Sequence, residues 1–269
     1  MSERCLMDRI LEPGALSVRF QPVYEAHATV MVGHYVECLI RGPRGTSVES
    51  PEILFEYARK KSREAVVDRR CVSVILEACL TLPSHVRIGL NVHASTLALD
   101  TGFVEYLAGE ASRLGIETDR LVVEVVEHAP PWDVAGFRRA LHEVRDLGAA
   151  IALDDVGLGH SNFMMILECR PNYFKIDRYF VCGARTDIYR QAVLASVAQL
   201  ARPFDARVVA EGVETVADLE TVRKAGINLV QGYLFGQPGT TADLNPPRSR
   251  FSARPLTPKS LSTSMEISS

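Results

Sequence analysis

The sequence predicts an α/β barrel of eight strands with helices outside, its first two strands antiparallel. Three observations carry this. Apolar strand-like runs recur eight times between residues 18 and 235, most of them separated by helical stretches. The first two runs are joined only by residues 24–30, whereas a parallel pair needs a crossover of about a dozen residues or more. Several runs also end in carboxylates or amides, and barrel enzymes carry their chemistry at the C-terminal ends of strands.

In chain order the strand runs are 18–23, 31–40, 86–92, 121–126, 150–153, 173–176, 207–210 and 229–235. Helical patterns fall at 51–61, 66–82, 131–147, 188–201 and 216–225. Pro51 and Pro131 suit a first helical turn, and Gly148 and Gly226 suit helix ends. The barrel is expected over residues 1–243. Residues 244–269 are rich in Ser and Pro and read as a disordered tail.

Composition bounds the function. The 269 residues are 47% hydrophobic with a formal net charge of −3, which suits one barrel-sized domain and does not point to a general binder of nucleic-acid polymers or membranes. No apolar run approaches the roughly 18 residues of a membrane span, and the N-terminus lacks the pattern of a signal peptide. None of the six cysteines forms a Cys-x-x-Cys pair, so free thiols in a reducing cytoplasm are expected.

The chemistry-bearing residues start with Ile151-Ala152-Leu153-Asp154-Asp155-Val156-Gly157-Leu158-Gly159, an apolar run closing on two carboxylates. Glu37, Asn91, Glu124, Lys175 and Glu211 stand at or near the ends of other runs. Taken singly, each has a plain structural reading. Glu37 suits a solvent-facing charge, Asn91 a turn, Asp154-Asp155 a loop cap, and Lys175 with Asp177 an internal salt bridge. Together, five carboxylates against one lysine leave four negative charges, which close packing would not tolerate unless neutralised. Two divalent cations would neutralise them, and an oxygen-rich set with one amide favours Mg or Mn over zinc. No Gly-x-x-x-x-Gly-Lys phosphate loop and no His-Glu-x-x-His zinc motif occurs. His93, His128 and His160 read as core or rim histidines, and Trp132 as a packing residue at a helix start.

These segments, in this order, resemble the EAL-domain phosphodiesterases that hydrolyse cyclic di-GMP. Phe20-Gln21-Pro22-Val23 is similar to the family's opening strand, and Glu37-Cys38-Leu39-Ile40-Arg41 to its Glu-Ala-Leu-x-Arg motif. Asn91-Val92, Glu124-Val125-Val126-Glu127 and Asp154-Asp155-Val156-Gly157-Leu158-Gly159 follow. Lys175-Ile176-Asp177, Glu211-Gly212-Val213-Glu214 and Gln231-Gly232-Tyr233 complete the set, so the resemblance spans about residues 11–243. It implies a (β/α)8 TIM-like barrel whose first strand runs antiparallel to the others. It also implies two Mg or Mn ions on Glu37, Asn91, Glu124, Asp154 and Asp155.

The same resemblance implies that Glu211 completes the second metal site or orients water, and that Lys175 holds the attacking water. Gln21 and Arg41 would contact substrate, and Glu214, Gln231 and Tyr233 would line the pocket. Glu127 would brace the loop after the acidic pair. The implied product is linear pGpG, and the implied assembly a homodimer in which that loop links the interface to the metals. A separate regulatory protein partner is a further expectation. Val156, His160-Ser161-Asn162, Val126 and Cys38 depart from the family pattern, chiefly in that loop. The alternative function is a catalytically silent cyclic di-GMP receptor or interaction module on the same barrel; a third is hydrolysis of pGpG or another dinucleotide.

Overall fold

The computed structural model describes residues 6–28, 33–126, 133–158 and 163–244. The eight strands are β1 (Ser17–Glu25), β2 (Gly33–Arg41), β3 (Arg87–His93), β4 (Leu121–Val126), β5 (Ala150–Val156), β6 (Tyr173–Ile176), β7 (Arg207–Ala210) and β8 (Leu229–Val230). They close into one barrel in chain order. β1 runs antiparallel to β2 and β8, and every other neighbouring pair is parallel.

The helices are α1 (Leu6–Leu11), α2 (Pro51–Lys60), α3 (Glu64–Ala78), α4 (Ala94–Leu99), α5 (Phe103–Arg113), α6 (Val134–Asp146), α7 (Phe163–Cys169), α8 (Arg178–Val181), α9 (Ile188–Ala201) and α10 (Val216–Lys224). Pro51 opens α2 as expected, and α10 begins with a reciprocal capping box between Thr215 and Asp218. Asp133 caps α6 by accepting from the Gly136 amide. Pro131 and Trp132, expected at that helix start, lie outside the described residues, as do Glu127, His128, His160 and residues 245–269.

The strand period of two builds the interior. On β4, Leu121, Val123 and Val125 join the large core between barrel and helices, while Val122 joins a separate cluster inside the barrel. That inner cluster is Val23, Tyr35, Val122, Ala150, Ala152, Tyr173, Val209 and Leu229. It plugs the barrel's lower half, as packed side chains do in this architecture. Two residues further along each strand, the same face turns polar.

Two elements differ from expectation. The run at 229–235 forms a strand only over Leu229–Val230, because the chain then folds back on residue 213. Val213 N donates to Gln231 O, and Leu234 N to Val213 O. A Cβ at Gly232 would stand 2.2 Å from Val213 O, so only glycine permits that approach. β5 instead runs through the acidic pair to Val156, with its register against β6 shifted between Leu153 and Val156.

Candidate active site

The alternation that fills the lower barrel also places one polar residue per strand above it. Gln21 follows from Val23 on the reversed β1, Glu37 from Tyr35, Glu124 from Val122 and Asp154 from Ala152. Lys175 follows from Tyr173, Glu211 from Val209 and Gln231 from Leu229, with Asn91 two residues after Gly89 on β3. Neighbouring strands pair Gln21 with Glu37, and Asn91 with Glu124. The result is a ring of eight polar side chains, one from each strand or, for Glu211 and Gln231, from the residue just past its end.

Lys175 is the hub of this ring. Its ammonium lies 2.6 Å from Glu124 Oε2, 2.9 Å from Glu211 Oε1, 3.1 Å from Asp154 Oδ1 and 3.3 Å from Glu37 Oε1. The lysine side chain is only 1% exposed. Burial works against its charge, but Asp154, Glu124, Glu211 and Glu37 outweigh it, holding the ammonium well above the usual lysine range. Asn91 Nδ2 donates to Glu37 Oε1 at 3.2 Å, and Gln231 Nε2 to Glu37 Oε2 at 2.6 Å. Burial opposes ionisation of Glu37, yet Lys175 and these two amides hold its carboxyl below the ordinary value.

The other acids are frustrated. Burial pushes Glu124 up to about 8, with Lys175 pulling the other way. Burial, then Asp154 and Asp177, raise Asp155 to about 6. Burial also raises Asp154 and Glu211. One ammonium does not neutralise the four carboxylates of the ring and Asp155 beside them, so the site calls for further positive charge.

Asp154 and Asp155 are adjacent, and a regular strand would send them to opposite faces. The register shift in β5 resolves this. Asp155 takes φ of 52°, a left-handed conformation that Asp tolerates better than most residues. The bulge re-aims its side chain, and ligand oxygens of Asp154, Asp155 and Glu211 come within 4.8 Å of one another. Glu124 Oε1, deep in the ring, has no hydrogen-bond partner among the described residues. A compact oxygen set with a buried unsatisfied acceptor and excess negative charge fits hard divalent cations.

Two cavities meet at this ring. One, of about 260 Å³, is lined by Gln21, Lys175, Glu211, Glu214, Gln231 and Tyr233 together with Asp177 and Arg178. The other, of about 410 Å³, is more apolar and includes Phe55, Val92, His93 and Val126. Both share Glu37, Leu39 and Asp154. Arg41 sits at the rim, donating to Ile40 O at 2.9 Å and lining neither cavity.

Asp177 does not pair with Lys175. It caps α8 by accepting from the Tyr179 amide at 2.7 Å, which removes the internal salt-bridge reading of that pair. Three contributors escaped sequence reasoning. Arg178 lines the smaller cavity and pairs with Glu214 at 3.1 Å. Asp68, 1% exposed on α3, accepts from the His93 backbone amide and ring and from Thr96 Oγ1, so His93 is a fixed cavity wall. Gly89 makes room for Glu124. Only Arg178 carried a signal, its place three residues after Lys175 at a strand end.

The EAL domain family model matches residues 4–238. The cyclic di-GMP phosphodiesterase PdeL of Escherichia coli is 27% identical over 223 residues, covering 81% of this chain and 61% of PdeL. Among solved structures, the PaMucR phosphodiesterase in complex with c-di-GMP superposes with a TM-score of 0.75 at 25% identity, covering 86% of this chain and 99% of that one. BlrP1 of Klebsiella pneumoniae, solved with manganese and cyclic di-GMP, gives 0.73 at 27% identity, covering 85% of this chain and 57% of that one. The chain therefore spans less than two thirds of PdeL and BlrP1. With the family model matched across the whole barrel, this chain belongs to the EAL domain family.

Proposed function

We propose that this chain hydrolyses cyclic di-GMP to linear pGpG, using two Mg or Mn ions. The observation that carries the reading is the ring of four carboxylates around the buried Lys175, with Asp155 and an amide beside it and two cavities opening onto it. The names of PdeL, PaMucR and BlrP1 support the same substrate, and the BlrP1 complex supports a divalent metal.

Glu37, Asn91, Glu124, Asp154 and Asp155 would hold the ions, with Glu211 completing the second position. Such ions, when bound, polarise phosphoryl oxygens and acidify water. The chain's own residues do the rest. Lys175 stays charged and fully buried, so its ammonium orients the attacking water while Glu211, 2.9 Å away, holds that ammonium in place. Water oxygen bonds to phosphorus and the P–O3′ bond breaks. The 3′ oxygen takes up a proton, and the phosphate stays on the 5′ carbon. Gln21 and Arg41 bind the phosphates and ribose edges, with Arg178 as an additional cation. Glu214, Gln231 and Tyr233 shape the cavity wall.

The test is incubation with cyclic di-GMP and Mg or Mn, products resolved by chromatography. The expected result is pGpG, abolished by chelator and restored by either ion, with calcium supporting it poorly because of its looser coordination. Binding without turnover would instead identify a silent receptor. No observation of the ring favours that second reading, since the sequence keeps Lys175 and every residue expected as a ligand.

The active assembly is a homodimer in this reading. α7, which follows the segment after Asp155, exposes Phe163, Met164 and Leu167 on one short helix. Grouped exposed apolar side chains support burial against a second copy. A regulatory protein partner acting through that face and a cytoplasmic location complete the proposal. Five described cysteines are free thiols, and four of them are buried, which suits a reducing compartment. Among the described residues no helix is long and apolar enough to cross a membrane.

A further inference from the structure

Below the charged ring, one polar atom stands out of place. Tyr35 lies in the apolar plug, fully buried, and its hydroxyl has no hydrogen-bond partner among the described residues. Its ring is held by Tyr173, with centroids 5.5 Å apart. Glu124 Oε1 is the matching acceptor, equally buried and equally without a partner among the described residues. Leaving a donor and an acceptor both unsatisfied in a protein interior is costly.

Gly89 brings the two side chains together. A Cβ at residue 89 would stand 2.2 Å from Glu124 Oε1 and 3.1 Å from Tyr35 Cε2. The carboxylate and the edge of the phenol ring therefore meet over residue 89, and the carboxylate takes the place that a side chain there would need. A phenol keeps its proton at neutral pH, so the hydroxyl is an O–H donor.

We propose that Tyr35 is a positioning residue for Glu124. Its hydroxyl donates to a bridging water, which in turn donates to Glu124 Oε1 and fixes that carboxylate for the divalent ion. A buried donor and a buried acceptor on adjoining side chains, neither with a partner among the described residues, are what a bridging water joins. The inference rests on the metal-dependent reading above. It adds that Tyr35 and Gly89, from the two neighbouring strands β2 and β3, set the affinity of the site without touching substrate or ion.

The experiment is calorimetric titration of the full chain with Mn alone, beside thermal unfolding in chelator. Tyr35→Phe removes only the hydroxyl and should weaken Mn binding about tenfold or more, as loss of an outer hydrogen-bond partner does at metal sites. Its unfolding midpoint in chelator should not fall. Gly89→Ala should weaken Mn further, because its methyl group displaces Oε1. In a Glu124→Ala background, Tyr35→Phe should have no added effect, since it acts through that carboxylate. Tyr35→Phe alone decides the matter if Gly89→Ala does not fold. Wild-type Mn affinity in Tyr35→Phe, or the same loss with and without Glu124, would overturn the proposal. A wild-type chain that binds no Mn would instead overturn the metal reading beneath it.

Discussion

Replacing Lys175 with Met removes the one positive charge inside the ring while keeping a side chain of similar length. The ammonium is 1% exposed and within 3.3 Å of Glu37, Glu124, Asp154 and Glu211. Removing one member of such a buried ion cluster costs about 3–5 kcal/mol, because the partners stay behind without compensation. Burial already favours the neutral form of Glu124, so the loss falls toward the lower end, about 3 kcal/mol. At roughly 2–4 °C per kcal/mol for a barrel of this size, the midpoint in chelator should drop by about 6–12 °C. Saturating Mn should return most of that, since an ion at a hundred times its Kd contributes about 2.7 kcal/mol. Turnover should remain far below wild type even then, with substrate affinity changed much less. The assays are calorimetry with and without chelator, and single-turnover hydrolysis. A Lys175→Met variant that melts with wild type in chelator and turns over normally would refute the reasoning.

Three further outcomes follow from the same geometry. Arg41→Ala should raise KM about tenfold or more through a lost charge-assisted phosphate contact, with kcat changed less; an unchanged KM counts against a substrate role. Phe163→Glu should dissociate the dimer and lower specific activity, read by light scattering and rate over a dilution series, and a fully active monomeric wild type would remove the case for a homodimer. His34 should make the barrel acid-sensitive. Burial, then Arg207, push it down to about 4, and its Nδ1 faces Arg207 at 3.2 Å while Nε2 meets Tyr173 Oη at 2.9 Å. The unfolded chain protonates this histidine near 6.5 and the folded one only near 4, so stability falls as pH drops through that window. With solvent screening the loss is about 1–2 kcal/mol, and His34→Gln should flatten that part of the stability profile; equal slopes for both proteins would contradict it.

Much of the ring was legible because strand alternation is a local rule. Once Val122 and Val209 are inward, Glu124 and Glu211 are inward too, and no knowledge of neighbouring strands is needed. What lay hidden depends on contacts between elements. Asp68 reads along the chain as one more acid on a charged stretch of α3. Only closure of α3 against β3 makes it the anchor of His93. Gly89 reads as an ordinary strand glycine until β3 and β4 are set side by side. The short β8 follows from Val213 bonding to the 231–234 turn, which no periodicity in 229–235 announces. Asp155 stood out in the sequence beside Asp154, but the bulge that turns it inward appears only in the register against β6. Glu127 and the loop at 159–162 lie outside the described residues, so their expected part in coupling remains a matter for the dilution experiment.

The most direct test of the central claim is hydrolysis of cyclic di-GMP in heavy-oxygen water with Mg or Mn, followed by mass spectrometry of the product. The account predicts pGpG carrying one heavy oxygen on its 5′ phosphate, formed only with the metal present and lost in Lys175→Met. Intact cyclic di-GMP after prolonged incubation with saturating metal, or pGpG formed equally well in chelator, would contradict it.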